Sequence, residues 1–133
     1  MRDDIAVAHI KPEIEKAIGF SQCVKAGDFV FISGTVSSND ELEPLESDSI
    51  EGQYRVIYDK LRRSLDLFGL GLDSVVKESI YTEDLQGFFD VGNAVRIAAY
   101  ADLDYFPSAT AVEVSRTAFE GNIVEIDVVA YCG

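Results

Sequence analysis

Two carboxylates on one strand offer the clearest prospect of chemistry in this chain. Residues 123–131 read IVEIDVVAY, so Val124, Ile126, Val128 and Ala130 share one face, and Ile123, Glu125, Asp127, Val129 and Tyr131 the other. A carboxyl group on a largely apolar face pays a desolvation penalty when charged. Its pKa rises toward the range in which protons are exchanged with a substrate or water. Glu125 is therefore the candidate proton-handling residue; the alternative is an interfacial carboxylate held by a backbone N–H or a lysine. Asp127 reads as a solvated edge position. Ser33 and Gly34 close an earlier apolar run, where a hydroxyl and backbone N–H groups would hold a carboxylate or orient water. A serine capping a turn explains the pair equally well. A serine nucleophile needs an adjacent base, and the single histidine, His9, lies on the first strand. Cys23 and Cys132 are far apart and, with His9, fall in no ligand spacing, so no metal site is expected.

These residues sit in a chain of 133 residues with 47% hydrophobic and 26% charged content, which fits one globular domain spanning residues 1–133. The net charge is −13, from 24 acids against 11 Lys plus Arg. A phosphate backbone repels such a surface, so nucleic acid is not an expected partner. The densest basic cluster, Lys60, Arg62 and Arg63, falls on a predicted helix with acids beside it. No apolar run is long enough to span a bilayer. The opening MRDDIAVAHIKPEIE contains acids and no apolar leader core, so the expected compartment is the cytoplasm.

The periodicities place the candidates on elements. Residues 5–10 read as a short first strand. Ser21–Lys25 and Asp28–Ser33 form a predicted hairpin around Ala26-Gly27. Val36–Ser49 is the one long loop. Ile50, Tyr54, Ile57, Leu61, Leu65 and Phe68 recur at three and four, the stripe of a helix packed on a sheet. Asp48 and Glu51 resemble a capping box. The ion pairs Glu51–Arg55 and Asp59–Arg63 are expected on its outer side. Ser74–Thr82 reads as a strand. Asp84 caps a second helix that ends by Pro107, and Thr110–Ser115 and Ile123–Tyr131 form a closing hairpin. The expected class is α+β, with the helices on one face of the sheet. The other face is too apolar for plain solvent, so packing between subunits around a polar pocket is expected there.

Three stretches, GFSQCVKAGDFVFISG, LDSVVKESIYTEDLQGF, and FPSATAVEVSR followed by IVEIDVVAY, resemble the Rid family, also called YjgF or endoribonuclease L-PSP-like. They follow the family order from about Gly19 to Tyr131. The resemblance implies a chorismate-mutase-like fold: a six-stranded, mostly antiparallel sheet with two helices on one face, three copies of which join in a barrel-like homotrimer. It also implies clefts at the subunit interfaces for a small ligand carrying a carboxylate or carbonyl. The activity implied is hydrolysis of imines and enamines to keto acids and ammonia, without cofactor or metal. The alternative is a trimer that binds a metabolite without turning it over.

Carried over by position, Phe20 falls where the family has a pocket tyrosine, in the run Gly19, Phe20, Ser21, Gln22. Ser33-Gly34 is kept. A pocket asparagine maps to Gly92, with Asn93 beside it. The arginine two positions after the Phe-Pro pair maps to Ala109, and Glu125 is kept if the preceding turn has one extra residue. An arginine forks two charge-assisted hydrogen bonds onto a carboxylate. Losing such a desolvated pair costs ~2–5 kcal/mol. Arg96, one helical turn after Gly92, is placed to lean over the space that glycine leaves and to supply the missing charge. The alternative is a solvated arginine paired with a surface acid. Arg116 is a second candidate.

Overall fold

The computed structural model describes residues 2–133. The elements run β1 (Ile5–Ala8), α1 (Pro12–Ile18), β2 (Cys23–Ala26), β3 (Phe29–Val36), α2 (Ile50–Asp66), β4 (Val75–Thr82), α3 (Leu85–Gly87), α4 (Asn93–Tyr100), β5 (Ser108–Glu113) and β6 (Val124–Tyr131). A π-helical turn, Phe88–Gly92, joins α3 to α4. The six strands form one sheet in the order β1-β2-β3-β6-β4-β5. Every pairing is antiparallel except β4 with β5.

That order corrects the expected closing hairpin. β5 and β6 are sequential but not neighbours, because β6 inserts between β3 and β4. Its inner residues Val124, Ile126, Val128 and Ala130 are at most 1% exposed, which requires a strand paired on both sides and covered by helices. The more polar SATAVE of β5 takes the edge instead. β5 lies parallel to β4 because a helical crossover joins them. Asp127 therefore sits in a central strand, opposite Ser79, and not at a solvated edge.

Two helix signals resolve differently from expectation. α1 falls within a segment assigned no element from its pattern, although Pro12 at its first turn and Glu13 and Glu15 after it are start signals, and Gly19 at φ 104° ends it. α2 is capped by Ser49, not Asp48: the Ser49 Oγ accepts the Gly52 N–H at 2.9 Å. Arg62 pairs with Asp59, and Arg63 reaches Asp40 in the loop that follows β3. The Glu51–Arg55 pair forms as expected.

The core lies between α2 and the inner sheet face. Tyr54, Ile57, Leu61 and Leu65 pack over Val30, Ile32, Ile80 and Ile126, all buried. Each such aliphatic side chain contributes about 1.5–3 kcal/mol by leaving water. The outer face carries no helix, and Phe29, Phe31 and Tyr131 on it are 42–47% exposed.

Two one-residue register shifts shape the sheet. The first lies between Ile32 and Thr35 of β3. The second lies between Val75 and Lys77 of β4 and turns Glu78 into the core. Glu78 is fully buried, yet it is fully partnered. Its carboxylate accepts from Arg96 Nε at 2.5 Å, Tyr58 OH at 2.8 Å and Tyr100 OH at 3.2 Å. Arg96 also stacks on the rings of Tyr100 and Phe106, at 5.7 and 6.0 Å. Burial first, then the Glu78 charge, holds both phenols above their ordinary range, so they stay donors. Removing Arg96 would leave a buried carboxylate without its countercharge. Arg96→Ala is expected to cost about 3–5 kcal/mol, measured as a drop in the urea unfolding midpoint at unchanged slope.

Candidate functional site

A cavity of about 300 Å³ lies at the end of β3, walled by Phe20, Gln22, Ser33, Gly34, Val36, Lys60, Phe119 and Glu125. Each wall has a local cause. The segment carrying Phe20 and Gln22 is pinned by Glu15, whose buried carboxylate accepts from the backbone N–H of Ile10, Lys11 and Gln22 at 2.8, 2.8 and 2.6 Å. His9 Nδ1 lies 2.7 Å from the same carboxylate, so the one histidine anchors this loop and stands beside no nucleophile. Burial pushes the Glu15 carboxyl up, but its hydrogen bonds outweigh that and hold it below the ordinary range. Gln22 reaches α2 through Nε2 to Ser64 Oγ at 3.1 Å.

The β3 bulge sets the floor. Past Ser33-Gly34 the strand resumes with Val36 opposite Glu125. A Cβ on Gly34 would lie 2.9 Å from the Glu125 carboxyl carbon, so only glycine leaves this space for the acid. Ser33 Oγ donates to the Ser21 carbonyl at 2.6 Å, which spends its proton on tying β3 to the loop before β2. The expected hydroxyl donor to a ligand is thus already committed, and Ser33 acts as the brace of the cavity wall.

Glu125 itself is half-buried and accepts no hydrogen bond from the described residues. Burial first, and then the charge of Asp127, raises its pKa. Asp127 is raised by burial too, partly offset by a hydrogen bond to Ser79 and by Lys77. An unbonded carboxyl with a raised pKa, facing a cavity, is suited to take a proton from water and return it.

Of the eight residues expected at the site, four line this cavity: Phe20, Ser33, Gly34 and Glu125. The others lie elsewhere in the subunit. Gly92 is in the helical layer, on the far side of the sheet. The ring of Tyr54 fills the place of its missing side chain, so no space remains there for Arg96 to lean over. Arg96 is committed to Glu78, which is neither the cleft charge nor the solvated ion pair expected of it. Asn93, in the same layer, has its side-chain oxygen buried without a hydrogen-bond partner among the described residues. Ala109 is exposed on the edge strand β5, in register with Glu78. Arg116 is exposed beyond β5. Lys60, Gln22 and Phe119 were not foreseen as wall residues. For Lys60 a signal existed: it lies three residues after Ile57 and four before Ser64, on the flank of the apolar stripe.

A larger furrow, about 540 Å³, runs between α2 and α4. The charged groups on its α2 wall are already paired with one another, as Glu51–Arg55 and Asp59–Arg62. Among the described residues no three His, Cys, Asp or Glu side chains converge as metal ligands, and no helix is long and apolar enough to cross a membrane.

Comparison with known proteins decides the family. The model of the family described as endoribonuclease L-PSP matches residues 11–132. The chain belongs to the Rid/YjgF family. A RutC family protein of Pyrococcus horikoshii is 31% identical over 121 residues, covering 87% of this chain and 90% of that one. The crystal structure of Rv2704 from Mycobacterium tuberculosis, of the YjgF/YER057c/UK114 family, superposes with a TM-score of 0.80 at 28% identity, covering 96% and 98% of the two chains. RidA from an Antarctic Psychrobacter gives 0.76 at 28% identity, covering 98% and 97%. The Rid/YjgF fold expected from the sequence is therefore present, with one added short helix, α1.

The raised pKa of Glu125 has a measurable sign. A carboxyl whose folded pKa exceeds its unfolded value favours the folded state when protonated, and that advantage is lost as pH rises through the folded pKa. Glu125→Gln removes the cost of the buried charge. The variant is expected to unfold at higher temperature than the parent at pH 7. The gain should vanish below the ordinary carboxyl pKa of 4.5, as read by calorimetric melts across pH.

Proposed function

We propose that this Rid/YjgF protein hydrolyses a small imine or enamine to a carbonyl compound and ammonia, in a cavity completed at a subunit interface. The carrying observation is Glu125: a half-buried carboxyl of raised pKa, with no hydrogen bond from the described residues, in a cavity where Gly34 leaves it room. In the proposed reaction water adds to the C=N carbon while Glu125 accepts a proton from that water. The nitrogen is protonated, the tetrahedral carbinolamine expels ammonia, and the hydroxyl proton leaves as the carbonyl forms. Imine plus water gives carbonyl plus ammonia, so the balance needs no oxidant or reductant.

The same face supports a homotrimer. Phe29, Phe31 and Tyr131 leave an apolar surface on the helix-free side of the sheet, with Phe29 and Tyr131 rings 5.4 Å apart. Self-association that covers this face would shield it from water and close the open side of the Glu125 cavity. A second reading, a trimer that binds a metabolite without turnover, is favoured by Ala109, which offers no cation where the family places its arginine. The net charge of −13 counts against the ribonuclease activity that the family description names.

Light scattering on the purified protein should give three times the 14.6 kDa chain mass, and Phe31→Lys should shift the population to single chains. Activity is tested with imines made in place by an amino-acid oxidase, following keto-acid release. General acid–base catalysis supplies ~10²–10⁴-fold, so Glu125→Gln should lose at least about a hundredfold at unchanged assembly. Binding without turnover by the parent protein would establish the sensor reading instead.

A further inference from the structure

We propose that Lys60 is the cation of this cavity and holds the carboxylate of the ligand. The inference rests on reading the Glu125 cavity as the ligand site.

Lys60 lies on α2, and its side chain crosses to the end of β3. There Nζ donates to the Val36 carbonyl at 2.7 Å and to Ser38 Oγ at 2.8 Å. Both acceptors are neutral, and among the described residues the third N–H has no acceptor. The other basic residues of α2 are all paired with carboxylates: Arg55 with Glu51, Arg62 with Asp59, Arg63 with Asp40. In a chain with 24 acids, the one α2 cation drawn inward is the one with no carboxylate in ion-pair contact among the described residues; Asp40, the acid that bears on it, is bonded to Arg63. A desolvated ammonium bonded only to neutral oxygens retains a strong preference for an anionic partner.

The cavity supplies the place for that partner. Val36, whose carbonyl holds the ammonium, lines the same cavity as Glu125. Lys60 and Glu125 nevertheless do not pair. The charges that bear on Lys60 are those of Asp40 and Arg63, and the one that bears on Glu125 is that of Asp127. Open space thus separates a cation from a proton-exchanging acid. A 2-imino or 2-keto acid in this cavity would set its carboxylate at Lys60 and turn its C2 toward Glu125. The other cations considered for this role are elsewhere: Arg96 is tied to Glu78, and Arg116 lies outside the cavity.

Burial lowers the Lys60 pKa to about 8, so the amine is still mostly protonated at pH 7 and loses its charge just above it. The groups around it are Asp40 and Arg63, with Lys11 and Glu15 in the adjoining smaller cavity, Glu41 and Asp59 in the one on its outer side, and Glu125 in its own. Asp40 raises the pKa and Arg63 lowers it. Binding that needs the ammonium weakens as pH rises past about 8.

The test is calorimetric titration of the intact protein with 2-oxobutanoate and with its uncharged analogue 2-oxobutanamide. The proposal expects Lys60→Met to weaken 2-oxobutanoate at least tenfold and leave the amide unchanged. Lys60→Arg should retain most of the affinity. Ser38→Ala, which removes one tether and keeps the charge, should retain it too. Affinity of the parent for 2-oxobutanoate should fall above pH 8, and that dependence should be absent in Lys60→Met. If Lys60→Met fails to fold, Lys60→Arg and the pH profile of the parent decide the matter. Unchanged 2-oxobutanoate binding in Lys60→Met, an equal loss for both compounds, or a flat pH profile overturns the role of Lys60 and leaves the site standing. No binding of either compound to the parent overturns the reading of the cavity itself.

Discussion

The carboxyl of Glu125 occupies the space where residue 34 would carry a Cβ. That one approach organises much of the molecule. Any larger residue at 34 would push the Glu125 carboxyl from this position, and the approach coincides with the extra residue that β3 inserts between Ile32 and Thr35. The bulge shifts the pairing so that Val36, and not Thr35, stands opposite Glu125. Ser33 then has its hydroxyl turned to Ser21, which holds the Phe20 segment against the cavity.

The sheet divides its charges between two sides, and the physical terms differ on each. On the helical side Glu78 is dry and saturated with donors, so its charge is locked and serves the fold. On the open side Glu125 is partly wet and has no donor, so its proton is available. The β4 bulge produces the first situation and the β3 bulge sits beside the second. Two acids on adjacent strands thus reach opposite chemical fates through the side of the sheet they face.

Much of this was legible from residue order. The two faces of β6, the raised pKa of Glu125, the α2 stripe and the hairpin around Gly27 follow from alternation, helical spacing and glycine conformations near φ +60°. The misplacements share a cause. Arg96 is placed over a cleft by sharing a helix face with Gly92, yet periodicity does not say what that face meets. Here it meets Tyr54 and Glu78. The closing hairpin failed for a related reason: strands adjacent in sequence usually pair, and only the need to bury both flanks of β6 overrides this.

The sequence by itself determined the class of fold, the family, the two faces of β6 and the apolar stripe of α2. Local periodicity and motif order fix these, since each depends on a few consecutive residues. Tertiary structure alone decided which charges are spent and which are free. Lys60 and Arg96 look alike in a helical pattern, but one meets only neutral oxygens beside a cavity and the other a buried carboxylate. That difference is set by bulges and by strand order, which bring together residues 24 and 18 positions apart in the chain, and no local pattern records it.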